Sequence, residues 1–266
     1  MFDLNAYLYG LAALILFAMI FWIVSLIKRD VSIVDSLWSI MFLLIFIVYG
    51  TVLFETGPRT DLLLILVTIW ALRLCLHITY RNWGKPEDYR YQQIRNNNQP
   101  GFAIKSLYIV FGLQALLAWI VSIPLLAALN SPAPLGWLDF VGVSLWLIGM
   151  VFESVGDYQL LKFKANKDNK GKVLDTGLWR YTRHPNYFGE ACIWWGYFTI
   201  AAAAGGWWTV YAPMLMTFLL LKVSGVALLE KDIQERRPAY RWYIEHTNAF
   251  FPGPRKLGVF HKDAKS

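Results

Sequence analysis

Long apolar blocks alternate along this chain with short polar segments that carry most of its lysines and arginines. A helix that crosses a bilayer needs about 20 mainly apolar residues, because each residue advances about 1.5 Å. Seven blocks meet that length, at residues 6–27, 32–54, 61–81, 104–129, 137–161, 187–204 and 207–229. Only Gly205 and Gly206 divide the last two, which reads as the turn of a helical hairpin. Pro124, late in the fourth block, predicts a kink, which membrane helices tolerate when neighbours satisfy the freed carbonyl. The fold class is therefore all-α: a polytopic membrane protein of seven transmembrane helices, with residues 1–266 forming one membrane-embedded domain and 230–266 a polar tail.

The linkers orient this bundle. Lys28 and Arg29 follow the first block, and Arg81, Lys85, Arg90, Arg95 and Lys105 follow the third. Lys162, Lys164, Lys167, Lys170, Lys172, Arg180 and Arg183 follow the fifth, and eight more basic residues from Lys231 to Lys265 follow the seventh. The alternate linkers hold only Arg59. Positive charge stays inside, so the N-terminus is expected outside and the C-terminal segment in the cytoplasm.

Composition agrees. Hydrophobic residues make up 57% of the chain and charged ones 16%, against about 25% charged in a soluble domain. The net charge of +7 lies between apolar blocks, not in a basic arm, so nucleic acid is not an expected partner. Cys75 and Cys192 each sit inside an apolar run, which predicts buried thiols and no metal or disulfide framework. The first block has no basic region before it and no A-x-A site after it, so it reads as a retained span.

Ionisable groups within the bilayer cost about 2.5–3.5 kcal/mol each at a helix centre, so each needs a reason. They are Asp35, Arg73, His77, Glu153, Asp157, Glu190 and Lys222, and the topology puts each in the cytoplasmic half of its span. Arg73 and His77 are four apart and share a helix face, as do Glu153 and Asp157. Each also has a plain structural reading. Asp35 can cap its helix, Asp157 can sit at the interface, Lys222 can snorkel, His77 can be a packing residue, and Glu153 and Arg73 can pair. Taken together, the one-sided set predicts a polar cavity open to the cytoplasm.

Residues 175–190, DTGLWRYTRHPNYFGE, concentrate the chemistry. A turn at Thr176-Gly177 leads through aromatic and basic residues to His184, Pro185 and Asn186 at the start of a span. Proline suits a first helical turn, where its missing N–H has no partner anyway. Free backbone N–H groups there, with Arg180 and Arg183, form a phosphate-attracting end. Asn186 and Glu190, four apart, face the same way and can grip an amide or a ring. The bland alternative is an ordinary helix start with a snorkelling basic collar.

GLWRYTRHPNYFGE resembles the membrane-embedded superfamily of steroid 5α-reductases, sterol C14-reductases and isoprenylcysteine carboxyl methyltransferases. ESVGDYQLLKFK (153–164) is similar to the preceding helix of the reductase branch. VDSLWS (34–39) and RNWGKPEDYRY (81–91) resemble a bacterial steroid-reductase-like subgroup, so the likeness runs from Val34 to about Pro252. The His184 motif marks the superfamily but not the reaction, because both branches carry it.

The resemblance implies a seven-helix fold that holds NADPH in a cytoplasm-facing cavity and passes hydride to the double bond of a steroid or similar lipid enone. By position, Asn186 and Glu190 match residues near the nicotinamide, with His184 and Tyr187 in the same motif. Asp157 matches the acidic residue at the cofactor. Arg73, Arg180 and Arg183 join the cofactor set. Lys164 and Lys172 fall where the family has arginines, keeping the charge but losing the bidentate fork. Glu153 replaces the usual asparagine. The family's ketone-holding residues have no clear match, which leaves Asp35 or Trp38 and Tyr89 or Tyr91 as candidates. The catalytic set expected is Glu190, Asp35 and Tyr91. No G-x-G-x-x-G follows a strand, so a Rossmann mode is excluded.

Two rivals stay open: an S-adenosylmethionine-dependent lipid or isoprenylcysteine methyltransferase, which uses the same motif, and a non-catalytic sterol- or lipid-binding protein. The apolar substrate is expected to arrive from the bilayer. The resemblance places the chain in a bacterial inner membrane, or the endoplasmic reticulum of a eukaryote; a monomer is expected.

Overall fold

The computed structural model describes residues 2–53, 57–129, 131–223, 226, 230 and 238–256. Every regular element among them is helical. They are α1 (Leu4–Lys28), α2 (Ile33–Val52), α3 (Pro58–Asn82), α4 (Tyr89–Asn97), α5 (Phe102–Leu129), α6 (Trp137–Ala165), α7 (Pro185–Ala203), α8 (Trp207–Val223) and α9 (Ala239–His246). By length and composition α1, α2, α3, α5 and α6 can cross a membrane, which makes this a multi-pass membrane protein. Of the other two expected spans, α7 has 19 residues but carries Asn186 and Glu190, and α8 is apolar but shorter. Residues 224, 225 and 227–229 of the seventh expected span, and 231–237 and 257–266 of the tail, lie outside the described residues.

The chain forms two compact units, 1–141 with 197–212 and 142–196 with 213–266. In the first, α2 packs on α1, α3 and α5. Asp3 starts α1 by accepting the Ala6 N–H at 2.8 Å. The buried positions of α1 (Ala6, Gly10, Leu14, Ala18 and Ser25) form one narrow stripe of mostly small residues. That stripe lets α2 come close: a Cβ on Gly10 would lie 2.6 Å from the Tyr49 ring. The remaining surface of α1 presents Leu8, Leu16, Ile20, Ile23 and Ile27 outward, which suits lipid and not water. Arg59, buried at the start of α3, makes a bidentate pair with Asp139 at 2.7 and 2.9 Å and donates to the carbonyls of Ala133 and Pro134. The one basic residue of its set of linkers is therefore a structural clamp.

α5 is broken where the sequence predicts it. Pro124 lacks an N–H, and the helix turns at Ser122, whose hydroxyl bonds the Trp119 carbonyl and Tyr49. A π-turn at Leu107–Gly112 is a second irregularity, with no proline behind it. The Gly205-Gly206 turn ends α7 with Gly205 at φ 86° and the Gly206 N–H on the Ala201 carbonyl at 2.8 Å.

The second unit is organised by glycines on α6 and α7. A Cβ on Gly196 would lie 2.7 Å from the Gly142 carbonyl oxygen, and one on Gly149 would lie 2.5 Å from that of Gly189. At Gly156 the neighbours are Pro185 and Asn186. Spacing of seven on α6 thus meets spacing of seven on α7, and the antiparallel backbones touch, as small residues allow in membrane helices. This seam sets Glu153 and Asp157 beside Asn186 and Glu190.

Candidate active site

In the first unit the α1–α2 turn and α4 are tied by charge. Glu87 accepts the Val31 N–H at 2.9 Å and the Arg95 guanidinium at 2.7 and 2.9 Å. Asp88 begins α4 by accepting the Arg90 N–H at 3.0 Å and also holds the Arg90 side chain. Arg90 then reaches Asp35 in the first turn of α2 at 2.8 Å. Tyr91 donates to the other Asp35 oxygen at 2.5 Å and accepts from the Gln114 amide at 3.3 Å. Asp35 therefore does not serve as a helix cap; Tyr91 and Arg90 occupy its oxygens.

Tyr91 is 7% exposed, and burial, followed by the Asp35 charge, holds its hydroxyl well above the ordinary phenol range. It stays a neutral O–H donor at any working pH. Burial pushes the Asp88 carboxyl up, but the hydrogen bonds and charge of Arg90 outweigh this and hold it low. Burial lowers and the Asp35 charge raises the Arg90 guanidinium, with the upward effects prevailing.

In the second unit the buried carboxylates Glu153, Asp157 and Glu190 lie along the α6–α7 seam. Asn186 donates to Asp157 at 3.1 Å, and the fully buried Trp194 indole donates to Glu190 at 3.2 Å. Trp179 donates to the Gly156 carbonyl at 3.0 Å, and the Leu178 N–H to Gln159 at 3.0 Å. Gly177 has φ 62° and is pressed on the Gln159 side chain, which explains the turn after Thr176.

Arg183 and His184 sit at a different junction. Arg183 makes a bidentate pair with Glu230 at 2.7 and 2.8 Å and donates to the carbonyls of Ile244 and Thr247. His184 bonds Glu230 at 2.9 Å, and its ring stacks on Tyr187. The chain after α9 is fastened there too: the Arg183 N–H bonds the Asn248 carbonyl, Thr182 bonds that of Phe250, and Tyr243 bonds that of Trp179. Burial opposes ionisation of Glu230, but hydrogen bonds from His184 and Arg183 pull its carboxyl down to about 2.

Lys164, Lys172 and Arg180 are exposed cations of the second unit. In the first unit Arg73 and His77 are half-buried on α3, Trp38 packs edge-on against Phe42, and Tyr89 is exposed. Lys222 is exposed at the end of α8. Both cysteines are free, and no metal-binding group of His, Cys, Asp or Glu occurs among the described residues.

Arg90, Gln114, Gln159, Trp194 and Glu230 were not singled out by sequence reasoning. Gln114 had a signal, as the lone amide in an otherwise apolar block. The glycines at 142, 149 and 156 and at 189 and 196 had one as well, in their common spacing of seven. Glu230 had none, because only the folded chain brings it to Arg183.

Apolar helices with lipid-suited surfaces and buried, hydrogen-bonded carboxylates define a multi-pass membrane protein with a polar interior. The chain belongs to the DUF1295 family of proteins of unknown function, a steroid 5α-reductase-like family, whose pattern matches residues 21–247. An uncharacterised protein of Schizosaccharomyces pombe is 26% identical over 94% of this chain and 81% of its own length. The 3-oxo-5-alpha-steroid 4-dehydrogenase 1 of Macaca fascicularis is 30% identical over 44% of this chain and 38% of that protein. The human protein of that name is 30% identical over 44% and 39%. The chain thus spans about two fifths of these steroid dehydrogenases. No solved structure matches the chain.

Proposed function

We propose that the chain is an NADPH-dependent reductase of the activated double bond of a 3-oxo-Δ4 steroid or a similar lipid enone. The observation that carries this reading is the buried Tyr91 hydroxyl, 2.5 Å from Asp35 and bonded by Gln114. A neutral donor held away from water suits a carbonyl oxygen that gathers negative charge during reaction. Relatives named as steroid dehydrogenases support the substrate class.

The residues of the second unit fit the cofactor by their chemistry. Asp157 and Glu190 are acceptors and Asn186 is both donor and acceptor, the set a carboxamide requires. Lys164, Lys172 and Arg180 are exposed cations suited to phosphates. When bound, NADPH supplies the hydride received by the β carbon of the enone. Tyr91 has a single O–H, so on substrate binding it exchanges Asp35 for the ketone oxygen and donates there to the enolate, while Gln114 holds the phenol oxygen and Arg90 keeps its bond to Asp35 and balances its charge. Water or an acidic side chain then protonates the α carbon. Trp194 fixes the Glu190 side chain, and Arg183 and His184 hold the loop that leads into α7 and its Asn186. Glu153 and Tyr187 complete the cofactor set of the second unit.

In this reading α7 and α8 complete seven spans, the N-terminus is outside and the C-terminus cytoplasmic. The protein works as a monomer in a bacterial inner membrane or the endoplasmic reticulum, and its substrate enters from the lipid. Side-by-side binding of NADPH and S-adenosylmethionine to the purified protein tests it. Binding of NADPH alone, lost on Glu190→Gln, is expected; binding of S-adenosylmethionine alone supports the methyltransferase instead.

A further inference from the structure

A cavity of about 460 Å³ in the first unit takes no part in the chemistry above, and its size falls within that of ligand pockets, about 300–1,000 Å³. It lies where α1 ends and α5 begins, lined by Leu26, Val31, Phe102 and Ala103 with the side chains of Arg29 and Arg95. Its serines are committed elsewhere. Ser25 donates to the Trp22 carbonyl at 2.7 Å and Ser106 to that of Ala103 at 2.8 Å, so the wall offers apolar surface and guanidinium groups.

The two arginines differ. Arg95 lies over the Phe102 ring, 4.6 Å from its centroid, and is held by Glu87. Arg29, the left-handed residue that ends α1 at φ 55°, has an exposed side chain with no hydrogen bond or ion pair among the described residues. Lys28 and Lys105 flank the site, the latter donating to the Asn98 carbonyl at 3.1 Å. Four cations thus stand against two carboxylates, Asp30 and Glu87. Immediately beside them, Ile23, Ile27 and Ile104 are 52%, 79% and 70% exposed. Both bordering helices are long and apolar enough to cross a membrane, and a cavity at their ends would then stand near the height of lipid phosphates.

We infer that this cavity binds the phosphate of an anionic phospholipid, with Arg29 as the phosphate ligand and Leu26, Val31 and Phe102 against the upper acyl chain. Basic pockets at the ends of membrane helices take anionic headgroups, each Lys or Arg near the surface contributing about 1 kcal/mol. The inference does not depend on the proposed reaction.

The test uses the full chain in nanodiscs and in detergent, with native mass spectrometry counting retained lipid. Phosphatidylglycerol is expected to be retained in preference to phosphatidylcholine, and Arg29→Gln to lower that retention about fivefold, the factor that corresponds to one surface cation. Arg29→Gln is also expected to leave the melting temperature and NADPH binding unchanged. Lys85→Gln, an exposed cation elsewhere, is expected to leave retention unchanged. Equal retention of the two lipids overturns the site, as does an equal loss in Lys85→Gln. Millimolar inorganic phosphate distinguishes the source: if it displaces the lipid completely and binds alone in an Arg29-dependent way, the site is one for free phosphate and the lipid assignment fails.

Discussion

Alanine at Gly189 tests the α6–α7 seam most sharply. Its Cβ would stand 2.5 Å from the Glu153 nitrogen, 2.6 Å from the Gly149 oxygen and 2.9 Å from the Glu153 Cβ. The two nearest neighbours are backbone, so no side chain can swing aside. Relief requires the helices to part by about 0.9 Å, judged against an ordinary contact of 3.4 Å. Overpacking of this kind costs about 1–3 kcal/mol, against a helix-propensity gain for Ala over Gly of about 1 kcal/mol. Gly50 on α2 is the control, because a Cβ there meets nothing within 4 Å. Gly50→Ala is expected to raise the melting temperature in detergent by roughly 2–4 °C, and Gly189→Ala, at a net cost of up to about 2 kcal/mol, to lower it by up to about 8 °C. The same separation would stretch the 3.1 Å Asn186–Asp157 bond, so NADPH affinity is expected to fall in Gly189→Ala and hold in Gly50→Ala. Equal stabilisation by both substitutions would refute the close backbone contact.

Three other substitutions follow from the structure. Tyr91→Phe is expected to lower kcat about 10²- to 10³-fold, the loss typical of one oxyanion donor, with NADPH affinity retained; an unchanged kcat removes Tyr91 from the reaction. Arg59→Gln leaves Asp139 as an unpaired buried charge and is expected to cost about 3–5 kcal/mol, read as a large fall in melting temperature. Glu230 links stability to acid. Its folded value of about 2 lies below the ordinary 4.5, so its contribution is present above pH 4.5 and is lost as pH falls towards 2. Hydrogen-exchange protection over residues 243–250, corrected for the intrinsic amide rate, is expected to fall as pH drops across that window in the wild type, and to be low and pH-independent there in Glu230→Gln.

Much of the fold was legible because lipid imposes a simple rule on helix length. α1, α2, α3, α5 and α6 follow the expected blocks within a few residues, and Pro124, Pro185 and Gly205 mark the expected break, start and turn. The ends moved for local reasons. α3 starts at Pro58 because proline suits a first turn, and α6 runs on to Ala165 past Lys162 and Lys164, which favour a helix C-terminus. The sequence offers Asp35 or Trp38 and Tyr89 or Tyr91 and favours Asp35 and Tyr91, but their bond to each other is not legible in it. Periodicity says which face a residue occupies but not which of two neighbours turns inward from a loop helix. The partners of Arg183 were hidden for a stronger reason. An arginine beside a helix start reads as a phosphate ligand, and only the returning C-terminal segment shows that Glu230 and two carbonyls hold it.

The reading of Tyr91 as the ketone's partner rests on one chemical event, the delivery of a hydride to an enone. The direct measurement supplies NADPH deuterated at the transferring position and a progesterone-like enone to the purified protein, and analyses the product by mass spectrometry. The expected product is saturated at the former double bond and carries one deuterium at the β carbon, in yields that fall sharply in Tyr91→Phe. Unreacted enone with undiminished NADPH, alongside transfer of a labelled methyl group from S-adenosylmethionine to a lipid, would contradict it.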